Sequence, residues 1–361
     1  MASTLLGSNR PLTELYDVAL LDLDGVVYVG PDAVPGAPAA LSAARAAGMR
    51  LAFVTNNAAR PPAVVAGHLS ELGIAAAPEE VVTSSQAAAR YLAERLPTGA
   101  RVLVVGTVGL EEALRDQGLA PVSDGAERVD AVVQGFSPDL DWRLLAEGCV
   151  AIKRGVPWVA TNVDPTVPSP RGPLPGNGSL VAALRHATGV DPVVTGKPEP
   201  TMHRESLLRS GAERPIVVGD RLDTDIEGAN AVGCASLLVL SGVTRPADLL
   251  AAPAKLRPDY LAADVAGLLA THPEPAAVEG GRRCGRWLAT AGGDGLRLAQ
   301  SSPGPGDRSG DNDDDLDALR ALCAAAWSGD DGGSRAAGSV RTGDGAEGEA
   351  TAVLERLGLL G

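Results

Sequence analysis

Short apolar runs that end abruptly in polar clusters recur along this chain, and they limit its fold more than any other feature. The mostly apolar stretch Tyr16 to Tyr28 carries Asp22, Asp24 and Gly25. Arg50 to Val54 runs into Thr55, Asn56 and Asn57, and Ile216 to Val218 runs into Gly219 and Asp220. A continuous apolar run fits a strand covered on both faces, as in a parallel sheet. Between the first runs lie helical stretches, Ala37 to Ala47 stopped by Gly48 and Ala63 to Leu72 stopped by Gly73. This β–α–β–α order favours a doubly wound, Rossmann-like α/β fold. Ligands bind such sheets at the C-terminal strand edge, so residues far apart in sequence could meet in one pocket.

The pattern then restarts. Arg101 to Val105, Ala131 to Gln134 and Trp158 to Ala160 read as strands; Leu110 to Asp116 and Trp142 to Arg154 read as helices. A Pro/Gly-rich loop, Pro165 to Gly178, leads into a helix ending near Thr188. The first unit resumes near Val193, with a turn at Thr195 to Pro200, a helix through Ile226 to Val232 and a last clear strand at Ser236 to Leu240. The expected organisation is a discontinuous parallel-sheet core (1–85 and 190–272), an inserted α/β cap (86–189) and a small C-terminal α+β module (273–361). Within that module, Arg286 to Gln300 reads as a hairpin and Leu316 to Trp327 as a helix, around an acidic Gly/Pro-rich loop at 301–317.

Composition narrows the function. A formal net charge of −14 argues against a nucleic-acid partner, which needs basic surface. It leaves room for an anionic substrate, because a bound metal or a lysine can reverse the local field. No run reaches the ~20 apolar residues of a membrane span, and no basic-then-apolar leader is visible, so a soluble, cytoplasmic chain without membrane insertion is expected. Cys149, Cys234, Cys284 and Cys323 lack metal-ligand spacing and read as reduced thiols. Only three of the 31 basic residues are lysine, and asparagine occurs seven times. In a chain this rich in Ala, Gly and Arg, a retained Lys or Asn points mildly to chemistry that Arg or Asp cannot supply.

Each polar cluster has a plain structural reading beside a chemical one. Asp22-Leu23-Asp24-Gly25 could be an ordinary strand exit; for the two carboxylates to converge, the chain must turn at Leu23–Asp24, which Gly25 permits. Thr55, Asn56 and Asn57 could cap a helix or bind phosphate at its start. Lys197, in the turn Gly196-Lys197-Pro198, is a surface lysine or a compact charge for a phosphate oxygen. Asp220, Asp223 and Asp225 could decorate a helix start or form a hard-cation site suited to Mg²⁺. The near absence of histidine from these clusters disfavours zinc.

Taken together, Asp22-Leu23-Asp24-Gly25-Val26, Thr55-Asn56-Asn57, Lys197-Pro198 and Gly219-Asp220 with Asp225 resemble the four motifs of the haloacid dehalogenase-like hydrolases. The insertion between the second and third motifs resembles the subgroup with a large α/β cap, which includes 4-nitrophenyl-phosphatase-like, phosphoglycolate phosphatase and glycerol 3-phosphate phosphatase enzymes. The likeness spans roughly residues 12–270. It implies that Asp22 attacks phosphorus to form an aspartyl-phosphate and that Asp24 acts as acid and then base. Thr55 and Lys197 would hold the phosphoryl oxygens, with Asn56 and Asn57 beside them at the phosphate-binding turn. Mg²⁺ would sit on the Asp22 and Asp220 carboxylates and the Asp24 backbone carbonyl, with Asp225 supporting from behind.

The cap would exclude water and read the rest of the substrate. Its stretches Ala160 to Asp164 and Pro175 to Ser179 are similar to segments of the subgroup. Asn162, Asp164, Arg171 and Asn177 are the specificity candidates, though a plain surface turn is the alternative. The C-terminal region resembles part of an acetyltransferase fold, but Arg335-Ala-Ala-Gly338-Ser-Val340 departs from the pyrophosphate-loop pattern, so a packing or interface role is expected.

The expected activity is Mg²⁺-dependent hydrolysis of a small phosphorylated metabolite, glycerol 3-phosphate first, with phosphoglycolate or a sugar or nucleoside monophosphate as alternatives. Dehalogenation would not need Asp24. A receiver-like phospho-acceptor would lack Asp24 and need no cap of this size. A binding module would not need every acid. Pairing of cap surfaces into a homodimer stays open.

Overall fold

The computed structural model describes residues 5–124, 128–167, 171–293, 295–301, 314–328, 340–343 and 347–360, with the backbone alone at Asp314 and Glu347. Most of the acidic loop expected at 301–317, and Arg335 to Ser339 of the acetyltransferase-like pattern, lie outside the described residues.

The chain divides into two units, one formed by 1–29, 33–50 and 213–361 and the other by 30–32 and 51–212. This division differs from the expected boundaries in two ways. The C-terminal stretch groups with the core strands, and the chain from Leu51 onward groups with the cap.

In the first unit, the strands Tyr260–Ala262, Ala235–Val239, Pro215–Gly219 and Val18–Leu21 lie side by side in that order, all parallel. All four residues of Val18–Leu21 are buried, as its unbroken apolar run requires. The long run read from Tyr16 therefore holds only a short strand; from Leu23 onward the chain turns. Tyr260–Ala262, three residues long, is a strand that the sequence did not announce.

The C-terminal part of this unit is a five-stranded sheet in chain order, Ala276–Val278, Gly281–Cys284, Trp287–Gly292, Gly295–Gln300 and Val340–Thr342. It is antiparallel except for the last pair, and the helix Asp314–Ala326 packs on it. The predicted hairpin is present, with Trp287 opposite Gln300, and the predicted helix begins two residues early. One apolar cluster joins Trp287, Leu319, Leu322 and Trp327 of this part to Leu238 and Leu261 of the parallel strands and to Leu222, Ile226 and Leu249 of the turns and helix that follow them.

In the second unit, Arg50–Thr55 pairs in parallel with Val81–Thr83. A separate parallel sheet runs Val193–Val194, Trp158–Ala160, Ala131–Gln134, Arg101–Val105, Ala120–Val122. Its two faces are covered by different apolar clusters. One contains Ala88, Leu92, Leu110 and Leu114, the other Ile152, Val181 and Leu184. The sequence reading missed the helix Ser84–Ala93, which opens on a capping box in which Thr83 and Gln86 satisfy each other's backbone N–H groups. Among the described residues no helix is long and apolar enough to cross a membrane.

Candidate active site

In the first unit the parallel ladder continues one residue past Leu21, where the Asp22 N–H donates to the Val218 carbonyl at 2.8 Å. The chain then folds tightly, with the Leu23 carbonyl accepting from Val27 at 2.9 Å and Tyr28 at 3.1 Å. Gly25 makes this turn at φ +86°, and a Cβ there would lie 2.4 Å from Asp220 Oδ2. Glycine is needed for both the conformation and the close approach. Asp22 is half-buried and Asp24 exposed.

Strand Pro215–Gly219 delivers Asp220, 1% exposed. The next turn, Leu222–Ile226, is π-helical, with Ile226 N–H reaching back five residues to the Arg221 carbonyl at 3.2 Å. This places Asp225, also 1% exposed, with the other acids. Carboxylate oxygens of Asp22, Asp220 and Asp225 all lie within 4.8 Å of one another. Asp225, expected as support from behind, thus stands level with the two expected metal ligands, and the Asp24 carboxylate is outside the group. Asp223 faces away, paired with Arg221 at 2.8 Å. Three hard oxygen donors without histidine or cysteine fit Mg²⁺ or Ca²⁺ rather than zinc.

The second unit assembles another set. Thr55 is buried, and its Oγ1 accepts from the Asn57 N–H at 3.1 Å, while Asn57 Oδ1 accepts from the Ala59 N–H at 2.8 Å. Asn56 is a hub. Its Oδ1 accepts from the Lys197 N–H at 2.8 Å, and its Nδ2 donates to the Lys197 carbonyl at 3.1 Å and to Asp164 Oδ2 at 3.3 Å. Its side chain is therefore committed to the Lys197 turn. Lys197 is 4% exposed, with Nζ donating to the Val54 carbonyl at 3.4 Å, so it is no solvated surface lysine.

Two of the specificity candidates have framework duties. Asn162 donates to the Asn56 carbonyl at 2.8 Å and accepts from the Asp164 N–H at 3.2 Å; Asn177 donates to the Asn162 carbonyl at 2.7 Å. Both are buried, at 4% and 1% exposure. Asp164 is half-buried and Arg171 exposed.

Sequence reading missed three features here. Glu205, 1% exposed, takes ion pairs from Arg90 and Arg209. His203, on the same helix Pro200–Ser210, is 1% exposed with no hydrogen-bond partner on either ring nitrogen. Burial, reinforced by the Lys197 charge, pushes its imidazole down to about 3. The third is the loop Ser241 to Thr244. It follows an apolar strand as the other polar clusters do, and the same strand-end rule would have found it.

A family model described as haloacid dehalogenase-like hydrolase matches residues 19–120, and one described as HAD-hydrolase-like matches 194–268. With the relatives below, these matches place the chain in the haloacid dehalogenase-like hydrolases; it belongs to that family.

The chain is 45% identical, over 324 residues and 88% of each sequence, to a Mycobacterium tuberculosis protein named D-glycerol 3-phosphate phosphatase. It is 38% identical over 236 residues to a Staphylococcus aureus acid sugar phosphatase, covering 65% of this chain and 90% of that one. The crystal structure of glycerol phosphate phosphatase from M. tuberculosis in complex with magnesium superposes with a TM-score of 0.86 at 42% identity, covering 97% of this chain and 100% of that one. A p-nitrophenyl phosphatase from Archaeoglobus fulgidus gives 0.64 at 30% identity, covering 70% and 98%. A third model, described as a GCN5-related N-acetyltransferase like domain, matches residues 284–359.

Proposed function

We propose that this chain is a Mg²⁺-dependent phosphatase of small phosphate monoesters, with glycerol 3-phosphate as its substrate. The grouping of the Asp22, Asp220 and Asp225 oxygens within 4.8 Å carries this reading. Three acids held together, two of them buried, are costly unless a cation compensates them. Asp22, Asp220 and Asp225 would hold Mg²⁺ with the Asp24 backbone carbonyl. The bound ion would neutralise charge on the phosphoryl group.

Asp22 is the nucleophile, forming an aspartyl-phosphate that divides hydrolysis into two steps. Exposed Asp24 gives its proton to the leaving alkoxide and then takes one from the attacking water. Thr55 and Lys197 bind the phosphoryl oxygens. Asn56 gives Lys197 its backbone position through two hydrogen bonds. Asn162 and Asn177 build the cap loop, leaving Asp164 and Arg171 as its candidates for reading substrate. Glycerol 3-phosphate is favoured over a sugar phosphate because the likeness to the M. tuberculosis enzyme extends across 88% of the chain, including most of the C-terminal stretch. Cysteines present as thiols rather than disulfides support a cytoplasmic setting.

The test is phosphate release from glycerol 3-phosphate, phosphoglycolate, sugar phosphates and nucleoside monophosphates, with Mg²⁺ and with EDTA. Wild type should turn over only with Mg²⁺, fastest in kcat/KM on glycerol 3-phosphate, and Asp22→Asn should be inactive. Wild-type turnover by Asp22→Asn would overturn the nucleophile, and a higher kcat/KM on another ester would overturn the substrate.

A further inference from the structure

A loop outside the four motifs holds Asp220 and the turn that follows Asp22. Ser241 to Thr244 follows the strand Ala235–Val239. The Val243 N–H donates to Asp220 Oδ2 at 2.6 Å, and the Thr244 N–H donates to the Asp220 carbonyl at 3.1 Å. Ser241 Oγ donates to the Gly25 carbonyl at 2.6 Å, so one loop grips both the Asp220 segment and the turn that follows Asp22. A Cβ on Gly242 would stand 2.0 Å from Asp220 Oδ2, which leaves room only for glycine.

This loop leads directly into the short helix Pro246–Leu250. Leu249 and Leu250, 0% and 4% exposed, belong to the apolar cluster that contains Trp287, Leu319, Leu322 and Trp327 of the acetyltransferase-like stretch. The helix Asp314–Ala326 packs on Pro246–Leu250 and on strand Tyr260–Ala262. Polar ties fix that seam. Arg320, 2% exposed, donates to the Leu261 carbonyl and to Asp317, both at 2.7 Å. Arg257 donates to the Ala252 carbonyl at 3.0 Å and lies 5.1 Å over the Trp327 ring.

We propose that the acetyltransferase-like stretch is a positioning element of the metal site: by seating Pro246–Leu250 it holds the Ser241–Thr244 loop, and the loop aims the Asp220 carboxylate. The inference rests on the reading of Asp22, Asp220 and Asp225 as metal ligands. The Val243 bond fixes the orientation of the Asp220 carboxylate through Oδ2. Mg²⁺ demands near-ideal octahedral geometry, so small displacements of a ligand weaken binding. Loss of the groups that orient a ligand commonly costs about 10–100-fold in metal affinity. A wholly separate domain would have no such effect.

The experiment is calorimetric titration of the metal-stripped full chain with Mg²⁺ alone, beside a thermal melt of each variant without metal. Gly242→Ala should weaken Mg²⁺ binding by about 10–100-fold. Arg320→Met, remote from the acids, should weaken it at least severalfold, and Arg320→Lys, which keeps the charge and a donor, should recover part of the loss. Destabilisation alone would lower the melt and leave the dissociation constant of the folded protein unchanged. Should Arg320→Met fail to fold, Trp327→Phe carries the same test. A folded seam variant that binds Mg²⁺ as wild type does overturns the proposal. Asp220→Asn separates the two layers of inference: if it too binds as wild type, the metal reading itself has failed.

Discussion

His203 offers the sharpest energetic test of the second unit. The imidazole is 1% exposed, lacks a hydrogen-bond partner and is held down to about 3 by burial and by the Lys197 charge. An unfolded histidine titrates near 6.5. The folded value is the depressed one, so the unfolded state binds the extra proton first, and stability falls as pH drops through the window from about 6.5 to about 3. At pH 7.5 the linkage contributes almost nothing. At pH 5 the unfolded histidine is protonated and the buried one is not. The difference is about 1.5 pH units at 1.36 kcal/mol each, or about 2 kcal/mol.

His203→Leu removes this titration at similar volume. Urea unfolding of both proteins at pH 7.5 and 5 gives the comparison, in which all other titrating groups cancel. Wild type should lose about 2 kcal/mol more than His203→Leu over that interval. Parallel losses would show that the imidazole is protonated in the folded state, which would refute the reasoning from burial beside Lys197.

Three further outcomes follow from the contacts described. Gly25→Ala should cost about 1–3 kcal/mol in chemical unfolding, because alanine is strained at φ +86°, and the displaced Asp220 should weaken Mg²⁺ binding in the same protein. Asn56→Ala leaves the Lys197 N–H without its acceptor, a loss of about 1–3 kcal/mol; in steady-state kinetics it should raise KM for the phosphate ester while leaving the calorimetric Mg²⁺ affinity near wild type. Glu205→Ala strips the shared partner from Arg90 and Arg209. It should cost about 3 kcal/mol by urea unfolding, toward the low end for a broken buried pair because both arginines are partly exposed.

The strand exits were legible because they are local. An apolar run stops where the chain leaves the sheet interior, and Asp22, Thr55 and Asp220 mark those stops without any knowledge of their neighbours. The same rule identified the parallel α/β class, and amphipathic patterning identified the hairpin and helix of the C-terminal stretch. It did not find Tyr260–Ala262, since a three-residue strand leaves little periodicity to read, and it passed over the capping box that opens Ser84–Ala93.

Residue type along the chain thus determined which side chains stand at strand ends, and with them the catalytic and metal candidates. Only the tertiary structure decided how those side chains are used. Asp225 joins Asp22 and Asp220 because a π-helical turn rotates it toward them. Asn56 serves the Lys197 turn, 141 residues away in sequence, and Asn162 and Asn177 are buried and hydrogen-bonded to the Asn56 and Asn162 carbonyls. The C-terminal stretch shares one apolar core with the strand ends that carry the acids. Each of these depends on hydrogen bonds or packing between distant segments, and such pairings become defined only once the chain has closed on itself.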